Sequence, residues 1–322
     1  MTTFNSRLRT FALLFLFASS HWSAQAAAHK STKNTATPSA GATRAGTIAH
    51  NPYLGAIVVE AASGKVLFED GADVKGYPAS VLKLMDLLII LEKIEQKQIS
   101  LQDQVPVSAK ASKTGGSQVY LAEKESFTLD EMLYALMVKS ANDAAVAIAE
   151  KVGGSTEGFV ALMNKKAKEL GMNNTVFASV HGLPPGHGQG HDVTTARDLS
   201  ILCRELLLKH PDTIRYTSTR ERDFRKDDPK RMIRMDTHNH LLGHFEGCDG
   251  LKTGYIAQAG FSIAATASRH DHRVIAIVLD SIDLKTRDAK ARELLTKGFA
   301  ALEPIASNTP NSSSAKPHAA KK

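Results

Sequence analysis

Residues 51–303 carry β-prone runs in their first and last parts, the latter followed by one helix, and are helical in between, and this order constrains the fold more than any other feature of the chain. Residues 53–59 and 65–69 are short β-prone runs separated by Ala62-Ser63-Gly64, which reads as a hairpin. Pro78 then precedes a predicted helix over residues 79–96, where Leu84, Leu87, Leu88, Leu91 and Ile94 recur at helical spacing. The same periodicity predicts helices over residues 129–139, 144–152, 155–170 and 195–208. Strand character returns at residues 261–267 and 273–279, and residues 287–302 form an amphipathic helix. Strands at both ends with helices between them imply an α+β fold: a sheet whose first and last parts come together, beside a helical lobe.

The flanks differ in composition. Arg7 and Arg9, the apolar run of residues 11–18 and the small residues of Ala24-Gln25-Ala26 read as a signal peptide over residues 1–26, with cleavage after Ala26 or Ala28. That run is far shorter than the ~20 residues a membrane span needs. Residues 27–50 and 304–322 hold few large apolar side chains and cannot bury enough surface to fold, so they are expected to be a disordered leader and a disordered basic tail around a catalytic domain at residues 51–303. The tail also lacks the apolar stripe of a membrane-lying helix. The chain is therefore expected to be exported, periplasmic or secreted, without a membrane anchor. The formal charge of +7 sits on these flanks: the signal segment carries +2, residues 27–50 carry +3 and residues 304–322 another +3, leaving −1 for residues 51–303. An electrically balanced domain removes the main support for nucleic-acid binding.

Three short motifs carry candidate chemistry. In Ser80-Val81-Leu82-Lys83 the spacing of three puts hydroxyl and amine on one helix face, where a desolvated Lys83 could take the Ser80 proton. Taken alone, the pattern also describes an N-terminal serine with a solvent-facing lysine. Ser140-Ala141-Asn142 lies between two predicted helices, where a hydroxyl could relay a proton and an amide could hold the lysine and a substrate carbonyl; alone it reads equally as a helix cap. Lys252-Thr253-Gly254 precedes the strand at 261–267; on an edge strand the two side chains would face a cleft and Gly254 would let a peptide approach the backbone. The three occur in order, 60 and then 112 residues apart, which is much harder to produce by chance than any one of them.

With Tyr77-Pro78-Ala79 before Ser80, Asp143-Ala144-Ala145 after Asn142, Thr195-Ala196-Arg197-Asp198, and Asp249-Gly250-Leu251 before Lys252, the chain resembles the serine D-alanyl-D-alanine carboxypeptidases and endopeptidases, the low-molecular-mass penicillin-binding proteins of peptidase family S11. The resemblance covers residues 53–302. It implies a serine β-lactamase/DD-peptidase-like fold, with an antiparallel sheet covered by helices plus a helical lobe. It implies Ser80 as acylated nucleophile, Lys83 as general base, and Ser140 and Asn142 as proton relay and positioning pair. Lys252, Thr253 and Gly254, with Arg287 further on, would bind the substrate carboxylate. The oxyanion would be held by the Ser80 N–H and a second one near residues 257–259. The substrates would be peptidoglycan stem peptides, β-lactams would be covalent inhibitors, and no cofactor is implied. Two features depart from the family: many members continue into a β-rich second domain and an amphipathic anchoring helix, which are not found here, and Val81 and Leu82 replace the usual polar residues after the nucleophile.

Carboxypeptidase action is expected first. The alternatives are an endopeptidase acting on cross-links, a class A-like β-lactamase, and a wall- or penicillin-binding protein without turnover. A β-lactamase would add a deacylating glutamate; Glu169 is nearest in pattern, but its spacing from Lys165 and Lys166 suits a surface ion pair. His181, His187, His191, His238, His240 and His244 are read as solvated, because no cysteine or carboxylate pattern completes a metal site around them. Cys203 and Cys248 could pair only if the fold brings them together, and Cys203 suits an apolar helix face.

Overall fold

The computed structural model describes residues 48–302 apart from 187 and 189; the signal segment, most of the leader, the tail from 303 and His187 lie outside the described residues. In chain order the elements are β1 (Gly55–Glu60), β2 (Val66–Asp70), a 3-10 turn (Ala79–Leu82), α1 (Lys83–Glu95), β3 (Gln104–Pro106), α2 (Ala109–Ser112), β4 (Ser126–Thr128), α3 (Leu129–Met137), α4 (Asn142–Gly153) and α5 (Thr156–Glu169). There follow α6 (Ala196–Lys209), α7 (Thr213–Thr217), β5 (Glu221–Phe224), β6 (Ile233–Asp236), β7 (Cys248–Ile256), β8 (Gly260–Arg269), β9 (His272–Ser281) and α8 (Leu284–Ala300).

The main sheet is antiparallel, in the order β2-β1-β9-β8-β7. Its first and last strands in sequence do come together: Ile57 of β1 stands opposite Ile277 of β9. Side chains of a strand alternate between faces, and here both faces are covered. Ile57, Val59, Ile275, Ile277 and Leu279 enter the large core shared with α1, α3, α4, α5 and α6. Ala56, Val58, Val274, Ala276 and Val278 pack on Ala291, Leu294, Leu295 and Phe299 of α8. That is why β8 and β9 are nearly continuous in apolar residues, which hides the alternation expected of an antiparallel strand with one wet face.

Helix ends follow local chemistry. Thr128, Ser155, Thr195 and Asp283 each accept a backbone N–H at the start of α3, α5, α6 and α8. The helix expected over residues 79–96 divides into the 3-10 turn and α1, so Ser80 sits in the tighter turn and Lys83 opens the α-helix. Ile48 and His50, placed with the leader by composition, are tied to the sheet: Ile48 N–H donates to Gln258 O (2.8 Å) and His50 N–H to Asp280 O (3.0 Å). Cys203, buried in α6, and Cys248 on β7 are both free thiols. Among the described residues no helix is long and apolar enough to cross a membrane.

Candidate active site

The motifs converge where the 3-10 turn meets β7, the open edge of the sheet. Lys83 is fully buried, and its Nζ donates to Ser80 Oγ (2.9 Å), Asn142 Oδ1 (2.8 Å) and the His181 carbonyl (2.9 Å). Asn142 opens α4, and its Nδ2 donates to Gly115 O (2.9 Å), which fixes the amide with its oxygen toward the lysine. On the other side Lys252 Nζ donates to Ser140 Oγ (3.0 Å) and to the Thr253 carbonyl (2.9 Å). Ser80, Ser140, Thr253, Gly254 and Arg287 line one cavity of about 270 Å3. All eight residues singled out in the sequence thus belong to one constellation.

Two backbone positions at its centre are strained. Ala79, just before Ser80, has φ of 44° and Ser140 has φ of 59°, both in the left-handed region that non-glycine residues avoid. Such conformations persist only where the surroundings over-determine them, and they aim the two hydroxyls into the cleft.

Electrostatics follow from burial. Desolvation pulls Lys83 down to about 8, against the opposing pull of Asp86, Asp192 and Asp143. Burial likewise drives Lys252 well below the ordinary lysine value, helped by the neighbouring charges of Lys83 and Arg287. The Arg287 guanidinium, 2% exposed in the first turn of α8, donates to Asp288 Oδ1 from Nε (2.8 Å) and Nη2 (2.6 Å).

Three expectations are corrected. Residues 257–259, expected to hold the second oxyanion donor, form the β7–β8 turn, and the Ala259 N–H is spent on Ile256 O (3.1 Å). Because that bond turns the Ile256 backbone toward the hairpin, alternation turns the Thr253 and Tyr255 backbone groups to the open edge. The Thr253 carbonyl receiving the Lys252 ammonium agrees with this orientation. Tyr255 N–H is therefore the strand amide that faces the 3-10 turn. Gly254 has a reason of its own: a Cβ there would lie 2.7 Å from Pro78 O and 3.1 Å from Ser80 N, so the space it leaves is filled by the turn that carries Ser80. Finally, His181 is not a solvated loop histidine. Its carbonyl holds Lys83, and its partly buried ring, which accepts the Leu183 N–H, has its pKa lowered to about 4 by burial and by the Lys83 and Lys110 charges.

The other histidines are dispersed. His238 and His240 line the cavity wall, His191 stacks on Tyr77 (4.6 Å between centroids) and exposed His244 bonds the Leu242 carbonyl. Glu169 ends α5 in ion pairs with Lys165 and Lys166 and is not among the cavity's lining residues, so it is not placed to activate a deacylating water. Sequence reasoning missed His181, Tyr255 and Gly115, since nothing in local spacing ties their backbone groups to Ser80.

A family model described as D-alanyl-D-alanine carboxypeptidase matches residues 45–282. The D-alanyl-D-alanine carboxypeptidase DacF of Bacillus subtilis (strain 168) is 38% identical over 248 residues, covering 77% of this chain and 62% of that protein. The chain therefore spans less than two thirds of that curated relative. Among solved structures, the D-alanyl-D-alanine carboxypeptidase DacD of Francisella tularensis superposes with a TM-score of 0.72 at 26% identity, covering 82% of this chain and 74% of that one. Penicillin-binding protein D2 of Listeria monocytogenes in its ampicillin-bound form superposes with a TM-score of 0.69 at 30% identity, covering 77% of this chain and 97% of that one.

Proposed function

The chain belongs to the D-alanyl-D-alanine carboxypeptidase family S11, and from that premise we propose that it is an exported serine DD-peptidase that cleaves D-alanyl bonds of peptidoglycan stem peptides through an acyl-enzyme on Ser80. The observation that carries this reading is the fully buried Lys83 amine 2.9 Å from Ser80 Oγ. As a free amine Lys83 takes the Ser80 proton while Oγ attacks the scissile carbonyl. The developing oxyanion lies between the N–H groups of Ser80 and Tyr255. Lys83 then gives up that proton, which reaches the leaving amine by way of the Ser140 hydroxyl, itself hydrogen-bonded to Lys252, while Asn142 keeps Lys83 aimed. Water then attacks the ester, with Lys83 again as base. Thr253, Lys252 and Arg287 supply the charge-assisted bonds that a substrate carboxylate needs. Residues 1–26 support export to the periplasm or outside the cell.

The first product expected is free D-alanine from a pentapeptide, with β-lactams acting as covalent inhibitors. A second reading, cleavage of cross-links, is favoured by one observation: the cavity continues past Thr253 to Tyr255, Phe261 and Leu284, which leaves room for a leaving group larger than alanine. The purified protein should release D-alanine from a pentapeptide monomer and form a penicillin adduct on Ser80; Ser80→Ala and Lys83→Ala should each lose the adduct while keeping the fold. Conversion of a cross-linked dimer without release of D-alanine would select the endopeptidase. Normal acylation in Lys83→Ala would remove the lysine from its role as base.

A further inference from the structure

Asp86 stands one helical turn after Lys83 on α1, is 2% exposed, and neither carboxylate oxygen has a hydrogen-bond partner among the described residues. Residues three apart share a helix face, so this carboxyl lies on the side of the reactive amine. A buried polar group left bare in a native core asks for an explanation. Three carboxyls act on the Lys83 charge, Asp86 most strongly, then Asp192 and Asp143. Two of them have donors of their own. Asp192 accepts from the Ala178 N–H (2.7 Å), the Ser179 N–H (2.9 Å) and the Ser179 hydroxyl (2.7 Å), and Asp143 from the amides of Val119, Leu121 and Ala144. Asp86 has none, so only the Lys83 cation favours its ionised form.

We propose that Asp86 is a positioning residue for the reaction: its carboxyl, facing the Lys83 cation without a hydrogen-bond donor of its own, favours the proton on Lys83, so it sets the pH at which that proton is released to solvent and Lys83 becomes free to accept the one from Ser80. This rests on Lys83 being the base. The three N–H groups of the ammonium already point at Ser80, Asn142 and His181, so Asp86 acts through space, across a medium too dry to screen it. The other groups facing the pair are Asp143 on α4, Asp192 and His181 on the loop before α6, and Lys252 on β7; a substitution at position 86 leaves all of them in place.

The test is the rate of Ser80 acylation by a fluorescent penicillin, followed from about pH 5 to about pH 9, for the unaltered protein, Asp86→Asn and Asp86→Leu. Removing the carboxylate removes the strongest attraction holding a proton on Lys83. The acid limb should therefore move to lower pH by roughly one unit in both variants, a gain of about tenfold relative to the plateau at the acidic end. The Asp86→Leu change also replaces a bare polar group by an apolar one, so the thermal midpoint of that variant should not fall. An acid limb that stays in place or moves upward in the two variants overturns the proposal, since a merely structural Asp86 would alter the midpoint and not the pH profile. Failure of the unaltered protein to acylate at any pH would instead overturn the assignment of Ser80 and Lys83, and this proposal with it.

Discussion

Asp280 shows how one carboxyl couples the sheet to the site. It is fully buried at the end of β9 and accepts the Tyr77 N–H (3.0 Å), three residues before Ser80, and the Ser262 hydroxyl (3.2 Å). Burial raises its pKa to about 7, against the pull of those two hydrogen bonds. Between the unfolded value near 3.9 and the folded value near 7 the native state keeps a proton that the unfolded chain has lost, so this group's contribution to stability falls as pH rises through that window. The full difference is on the order of 4 kcal/mol above about pH 7. Asp280→Asn should raise the thermal midpoint at about pH 8 and leave it little changed at about pH 4, flattening the profile between. Melting curves across that range check this; an unaltered slope would mean that Asp280 is ionised in the native state throughout.

Among the elements, the junction of β7 with the 3-10 turn is the least forgiving. An edge strand is normally protected against pairing with other chains, yet β7 keeps its outer backbone groups open toward the turn that carries Ser80. Close approach is possible because residue 254 has no side chain. Gly254→Ala would set a methyl against Pro78 O and Ser80 N, and both are backbone atoms that cannot swing aside. Relief requires the turn to move away from the strand, carrying the Ser80 N–H with it. We expect a loss of about 1–3 kcal/mol in stability and at least a ~100-fold fall in penicillin acylation, because a displacement near 1 Å is enough for that in a preorganised site. Stopped-flow acylation beside a urea melt separates the two effects; near-normal acylation would show that the contact relaxes elsewhere.

At the scale of the molecule, β9 lies between β1 and β8 in the centre of the sheet and covers a core face on each side. The strand that completes the fold is therefore among the last elements in the chain. A protein ending after residue 271 keeps Ser80, Lys83, Ser140, Asn142 and Lys252 but lacks β9 and α8. It should show no cooperative unfolding transition and no penicillin adduct. Removing residues 27–47 and 304–322, whose composition offers no core, should leave the thermal midpoint unchanged, whereas extending the first cut through His50 removes hydrogen bonds to the sheet. A folded, penicillin-binding 1–271 chain would contradict this account of how the site is assembled.

The parts of the protein legible in its sequence are those whose cause is local. Helical periodicity located α1, α3, α4, α5, α6 and α8 to within a few residues, and the spacing of Ser80 and Lys83 placed both side chains within one turn. Motif order implied that Ser140 and Lys252, 112 residues apart, belong to one site, but the hydrogen bond between them was not legible in it. Contacts between distant backbone atoms left no such trace. The His181 carbonyl reaches Lys83 through a loop that no local pattern ties to α1, the Ala259 N–H is used up inside the hairpin turn, and Asp86 is bare because α1 buries a position that periodicity alone leaves unremarked. Local sequence determines which way a side chain points along its own element, whereas hydrogen-bond partners and solvation belong to the space between elements, which only the packed sheet and its helices define.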